Sequence, residues 1–321
     1  MRNEDRGAQT RQTTTWQQRK RSVRYRWAVP FVFTEWFCEH LSDRLKKWAF
    51  LDVLERIGHL AVLVAVVFYI VEAPERRKVN QYYAWQIINS LTGSHTDGGR
   101  RYAIHDLLRD GVSLAGINLT DAILPDMDFR NADLRRGRFW RAELLDADFR
   151  RAVLSDSDFG WSLLNRANFS EAHLENVEFT EACLDNADFS HSDLGGAQFY
   201  LTKLRNTVFA DANLSREILE RADLTGAAFV DANLCAAKLV HADVADVDFS
   251  RANLRRVAMS NCVHWADIKS IRLANIKGIV EPPAGFLEWA RDHGAVEIED
   301  DLEWQRLINQ DAQRGGAKSK H

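Results

Sequence analysis

Cysteine is scarce in this chain. Four residues in 321, Cys38, Cys183, Cys235 and Cys262, form no C-x-x-C pair, so neither a disulfide framework nor a cysteine-type zinc pattern is present. Free thiols favour a reducing compartment. A dominant charge sign is lacking too. Lys and Arg number 42 against 46 Asp and Glu, a net charge of −4, and so small a value designates no partner through the whole-molecule field. Residues 1–30 have no apolar stretch of the signal-peptide kind. The glycines of TGSHTDGG (residues 92–99) are followed by no GK[ST], which excludes a phosphate loop.

What the sequence has in abundance is a period. From Leu114 to Met259 every fifth residue is large and apolar, 30 positions without a slip. Between Leu124 and Leu214 these positions alternate Leu and Phe strictly. A helix would smear them round its cylinder, because five residues turn about 140°. A single strand would send successive ones to opposite faces, because five is odd. A second register resolves this. Two residues before the large apolar residue, in most units, stands a small one: Ala132, Ala142, Ala147, Ala152 and Ala167 are examples, with Gly137, Ser157, Ser162 and Thr202 in other units. The residue between is usually Asp or Asn, and the last two of each unit are polar. Each unit is therefore a short extended side, small and large residues inward, followed by a corner. Repetition winds such units into a stacked coil.

Units such as AELLD-ADFRR at 142–151 and ANFSE-AHLEN at 167–176 resemble the pentapeptide-repeat family. The resemblance implies a right-handed quadrilateral β-helix with four units per coil, mainly β. Residues 20 apart then stack, placing Phe129, Phe149, Phe169 and Phe189 on one wall and Phe139, Phe159, Phe179 and Phe199 on the opposite wall, with Leu on the other two. At about 4.8 Å between stacked strands, some seven coils give a rod roughly 35 Å long. Cys183 falls between Leu163 and Lys203, and Cys235 between Ser215 and Arg255, so no cysteine meets another.

The flanks are read in order. Residues 1–30 form a basic tail, expected to be disordered, with contact to anionic lipid or nucleic acid as the alternative. Residues 31–73 hold an amphipathic pattern (Trp36, Phe37, Leu41, Leu45, Trp48) and then the uncharged run Ile57–Val71. That run is short of the ~18–20 residues of a membrane span. Extended by the preceding helix, it reads as a single transmembrane helix, with a buried core helix as the alternative. The basic tail favours an inside N-terminus and the free thiols favour inside repeats, so the orientation stays open. Residues 74–111 read as two helices, the second capping the first coil. The stretches PERRK, YYAWQIINSLTG and RRYAIHDLLRDG, with WFCEHL upstream, resemble membrane-anchored bacterial members of the family, a subset with no assigned activity. The resemblance spans roughly residues 35 to 310.

Repeats extend over 112–279, with ADI at 266–268 and ANI at 274–276 as degenerate last units. Residues 280–321 hold two helices that plug the far end, with a disordered tail from Arg314.

A packed interior of Leu, Phe and Ala offers no concave site for catalysis. No enzyme activity, cofactor, metal or small-molecule substrate is expected; His173, His191 and His241 are dispersed. The column Asp128, Asp148, Asn168, Asp188 reads as a solvated face with side-chain bonds to the corner backbone. Asn213, Asn233 and Asn253 form an amide ladder. Glu217 alone places a charge in the small inward position, and a local bulge is expected to turn it to solvent. The best surface clue is an acidic belt: Asp156, Asp158, Glu171, Glu175, Glu178, Glu181, Asp185, Asp188 and Asp193. It follows a basic coil (Arg130, Arg135, Arg136, Arg138, Arg141, Arg150, Arg151). A band of this kind could dock a charge-complementary protein. The reading is a membrane-anchored, non-enzymatic scaffold for an unidentified protein partner, with the bilayer as second partner. The alternative, from soluble members of the same family, is a DNA-mimicking binder of gyrase. Direct nucleic-acid binding is not expected.

Overall fold

The computed structural model describes residues 16–17, 21, 29–46, 49–91, 93 and 98–318. Most of the basic segment 1–30, Trp48 and most of the 92–99 loop lie outside the described residues. Two compact units are present, Met1–Arg77 and Lys78–His321.

The first unit holds helices α1 (Val29–Lys46) and α2 (Ala49–Val71). Ile57, Leu60, Val62, Leu63, Phe68, Tyr69 and Val71 are each more than half exposed, so α2 is no buried core helix. Nor does it meet the expectation of a transmembrane helix on its own. No single described helix is long and apolar enough to cross a membrane. The reason lies in its first third, where Asp52, Glu55 and Arg56 stand in the helix. The uncharged run beyond them reaches only about 22 Å at 1.5 Å per residue, against a hydrocarbon core of about 30 Å. A bent pair, Arg56–Val71 with Ala73–Ser90, passes on length and composition together.

Helix α3 (Ala73–Ser90), of which Lys78 onward belongs to the second unit, and α4 (Arg100–Arg109) precede the repeats. Ala84 and Ile88 of α3 and Ala103, Ile104 and Leu107 of α4 join the core. Gly93 N–H donates to Thr120 C=O and Arg101 donates to Pro125 C=O. The first coil's open edge is thereby covered, as an exposed ladder requires.

The repeats form a four-sided column. Each side contributes one residue to a parallel bridge with the residue 20 further on: Asn118 with Arg138, Ile123 with Glu143, Asp128 with Asp148, Asp133 with Val153. These are isolated bridges rather than strands, because the corner interrupts the ladder after three residues. The bonding is nevertheless regular. Phe149 N–H donates to Asn168 C=O at 2.7 Å, and Asp148 N–H to Met127 C=O at 2.9 Å. The corner is a four-residue turn, closed in most units by a bond such as Ala152 N–H to Phe149 C=O at 3.0 Å. Its third residue is left-handed, as at Asp121 (φ 55°) and Asn131 (φ 58°), which favours Asn, Asp and Gly.

Inside, the Phe columns stack as the spacing predicts. Phe129–Phe149, Phe149–Phe169 and Phe169–Phe189 have ring centroids 4.9, 4.8 and 4.8 Å apart. Rings from the opposite wall meet them edge-on, Phe149 and Phe159 at 5.6 Å and 89°, the geometry aromatic quadrupoles prefer. Burying each ring stabilises the column by about 1.5–3 kcal/mol.

The C-terminal end departs from expectation in two ways. Asp248 pairs with Ser270, 22 residues on, not 20. The extra residues are taken up by His264, left-handed at φ 56°, and a 3-10 turn at Trp265–Asp267. The unit therefore lies at Lys269–Ile271, not at 266–268, whereas Asn275 bridges Asn253 as read. The second departure concerns the two last helices. Helix α5 (Phe286–Asp292) buries Phe286 and Ala290, with Trp265 edge-on to Phe286 at 5.9 Å. Helix α6 (Asp301–Lys318) does not plug the end but lies along the flank. Trp304 Nε1 donates to Leu273 C=O at 2.9 Å, and Arg255 and Arg272 pair with Asp301 and Asp311. Helical backbone continues to Lys318, past Arg314 where the sequence suggests a tail.

Candidate functional site

The sides can be named by their bridge residues. The first runs through Asn118, Arg138, Asp158, Glu178 and Gln198; the second through Ile123, Glu143, Leu163, Cys183 and Lys203; the third through Asp128, Asp148, Asn168 and Asp188; the fourth through Asp133, Val153, His173, Asp193 and Asn213.

The acidic belt distributes over three sides and all four corners. Asp158 and Glu178 lie on the first side, Asp188 on the third and Asp193 on the fourth. Glu171, Glu181, Asp185, Glu175 and Asp156 occupy corners. Residues close in sequence thus encircle the column instead of sharing a face. Several are engaged locally. Glu171 is held by Arg151 at 2.8 Å, which keeps its carboxyl below the ordinary range. Glu175 accepts from Ser155 at 2.7 Å, Asp156 from Asn176 at 3.2 Å, and Asp185 from Arg205 N–H at 3.1 Å. Glu178 and Glu181 have no salt bridge among the described residues.

The carboxylates at the middle of each side have a structural duty. Asp128 accepts Arg130 N–H at 3.0 Å, Asp148 accepts Arg150 N–H at 3.1 Å, and Asn168 accepts Ser170 N–H at 2.9 Å. This Asx turn satisfies a corner donor that the ladder leaves free. The following Arg then closes on the same carboxylate, Arg130 on Asp128 and Arg150 on Asp148, both at 2.6 Å. The Arg130 bond holds the Asp128 carboxyl below its ordinary value. Arg135 pairs with Asp133 and Arg141 with Asp121. The basic coil is therefore largely neutralised from within. The amide ladder forms, Asn233 donating to Asn213 at 3.2 Å and Asn253 to Asn233 at 3.0 Å.

Glu217 contradicts its expectation. No bulge turns it out; the residue is fully buried, at 0% exposure. Its Oε1 accepts Gly196 N–H at 2.7 Å, the donor that elsewhere in the ladder reaches the next coil's corner carbonyl, as Asn176 N–H reaches Gly195 C=O. Oε2 has no partner. Burial pushes the carboxyl up to about 8. An extended residue bridged at Ile218 to Gln198 fixes the backbone register, and this leaves the side chain no outward rotation.

All four cysteines are free, with Cys262 buried and its thiol pushed up to about 12 by burial. No group of three His, Cys, Asp or Glu side chains among the described residues could hold a metal ion. Outside the core, sequence reasoning missed a row of exposed apolar side chains, Trp140, Trp161, Leu163 and Leu201. Their signal was available: three occupy corner positions that most units fill with polar residues, and Leu163 the mid-side position usual for Asp or Asn.

A quadrilateral solenoid built on a five-residue unit defines the class. Residues 132–209 match the family model described as a pentapeptide repeat region, and residues 202–234 and 218–256 that described as pentapeptide repeats (8 copies). The repeats of residues 132–256 are thus of the pentapeptide-repeat kind. Among solved structures, the chain is similar to QnrB1, a plasmid-mediated fluoroquinolone resistance protein, at 20% identity over 54% of this chain and 87% of that one, TM-score 0.38. HetL, a pentapeptide repeat protein involved in heterocyst differentiation regulation from the cyanobacterium Nostoc, matches at 21% identity over 51% and 84%, TM-score 0.24. A pentapeptide repeat protein from the Arabidopsis thaliana thylakoid lumen matches at 35% identity over 26% and 63%, TM-score 0.23. No curated protein matches the chain.

Proposed function

We propose that this protein is a non-enzymatic scaffold that binds another protein on its column and is attached to a bilayer through Ile57–Val71. One observation carries the reading. A column whose interior is filled by stacked Phe and Leu, all at 0% exposure from Phe129 to Phe249, offers chemistry no enclosed cavity and offers a partner a rigid outer lattice. Rigid, preorganised surfaces bind with little ordering cost. Support for attachment is the bare apolar face of α2, which water disfavours, flanked by Arg56 and by Arg76, whose guanidinium lies 4.2 Å over the Tyr69 ring. Aromatic and basic residues at such an edge suit a lipid interface.

The test is flotation of the full chain with liposomes of anionic and zwitterionic lipid, beside the variant V64K/V67K. The reading expects the native chain to float and the variant to remain at the bottom. Equal behaviour of the two would remove attachment through this helix.

The DNA-mimicking alternative requires a continuous negative column. Arg130, Arg150 and Arg151 each sit on a carboxylate of the same surface, which weighs against it. Gyrase supercoiling unaffected by micromolar protein would dispose of it.

A further inference from the structure

The corner between the first and second sides differs from the other three. Its successive coils carry Trp140, Trp161, Glu181 and Leu201, with Leu163 beside Trp161 on the second side. Trp140, Trp161, Leu163 and Leu201 are 38%, 53%, 38% and 40% exposed, so an apolar ridge, interrupted at Glu181, extends over four coils, about 14 Å at 4.8 Å per coil. Trp161 and Leu201 occupy the left-handed corner position, at φ 59° and 55°, as Arg141, Glu181 and Arg221 do in the other coils of this corner; Asn or Asp is at ease there. Trp140 lies over Gly160, where an added Cβ would approach its Cδ1 to 3.2 Å, so a larger residue there would push the indole back by a few tenths of an ångström. The stretch from Trp161 to Glu181 is bordered by Asp158, Glu178 and Glu181, with Arg138 and Lys203 further along the same two sides. Arg141, which covers the Trp140 ring at 4.9 Å, is already paired to Asp121 at 3.1 Å, so it does not answer those carboxylates.

We propose that this corner is the docking ridge for a basic segment of a partner protein, one that alternates Lys or Arg with large apolar side chains. The apolar residues lie against Trp161, Leu163 and Leu201, and the bases face Glu178, Glu181 and Asp158. Aromatic anchors supply the affinity of such contacts and the rim charges their steering. The inference rests on the scaffold reading and assigns it a surface.

The experiment selects a random displayed dodecapeptide library on the full chain in detergent, then measures binding of the synthetic winners. Three variants are compared: W161N/L201N, E178Q/E181Q and, on the third side, D188N. Asn suits the left-handed corner, so W161N/L201N should melt no lower than the native chain. The ridge expects winners that combine Lys or Arg with aromatic or aliphatic residues, bound about tenfold more weakly by W161N/L201N. E178Q/E181Q should weaken them less and flatten their salt dependence, and D188N should leave them unchanged. Winners bound equally by all variants would overturn the ridge while leaving a scaffold that binds elsewhere. A selection with no basic, apolar consensus would overturn it as well, the scaffold reading being tested separately by proximity labelling from the column in the native membrane.

Discussion

Gly196 N–H donates to the buried Glu217 Oε1 at 2.7 Å, a side chain taking the place that a backbone carbonyl holds in the other coils. The carboxylate position is costly in its ionised form, because Oε2 is without a partner and burial raises the group to about 8.

The sign of the pH dependence follows. Between the unfolded value near 4.5 and the folded value near 8, the native state holds a proton that the unfolded chain releases. Stability contributed by this group is full below about 4.5 and declines as pH rises towards 8, by on the order of 5 kcal/mol at full extent. Glu217→Ala, which restores the alanine present at Ala197 and Ala237, should stabilise the protein by about 1–3 kcal/mol at pH 8. Denaturant midpoints between pH 5 and 9 check this. A native midpoint that holds constant or climbs relative to the variant would contradict it.

Asp148 is expected to act through its turn more than through its ion pair. It accepts Arg150 N–H at 3.1 Å and Arg150 Nη2 at 2.6 Å. Asp148→Asn keeps the first bond and should cost under about 0.5 kcal/mol, since exposed pairs contribute little. Asp148→Ala removes both and should cost about 1 kcal/mol. Thermal melts of the two variants in one buffer separate the contributions; equal losses would assign the stabilisation to the arginine.

Asn275 pins the C-terminal segment. It is fully buried, donates to Ile298 C=O at 2.8 Å and accepts Ile298 N–H at 3.2 Å. Asn275→Ala should cost about 1–3 kcal/mol and speed amide exchange in α6 while the coils around Phe169 stay protected. Uniform loss of protection along the column would contradict that local role.

Much of this architecture was legible because a five-residue period admits few solutions. The inward Leu and Phe, the small residue two before each, and the Asx turns all follow from one unit. The surface was harder to read for a geometric reason: a residue's side is fixed by its number modulo 20. Asp156 to Asp193 cluster in sequence and therefore spread round the circumference, whereas Trp140, Trp161 and Leu201 are distant in sequence and share a corner. The inward direction of Glu217 is set by the bridges of its unit and its neighbours, which override the cost of burying a carboxyl that its residue type alone signals. The flank position of α6 depends on contacts such as Trp304 to Leu273, which no local pattern encodes.

Pulsed dipolar distances along the third side test the column itself. Spin labels at the exposed or half-buried mid-side positions Asp148, Ala228 and Asp248, paired with one at Asp128, probe one, five and six coils. The account expects the latter two distances near 24 and 29 Å, rising by about 4.8 Å for each 20 residues, with narrow distributions. Separations that are broad, or that fail to grow linearly with coil number, would mean that the fifth-residue Leu and Phe do not turn inward together, and the scaffold would lose its frame.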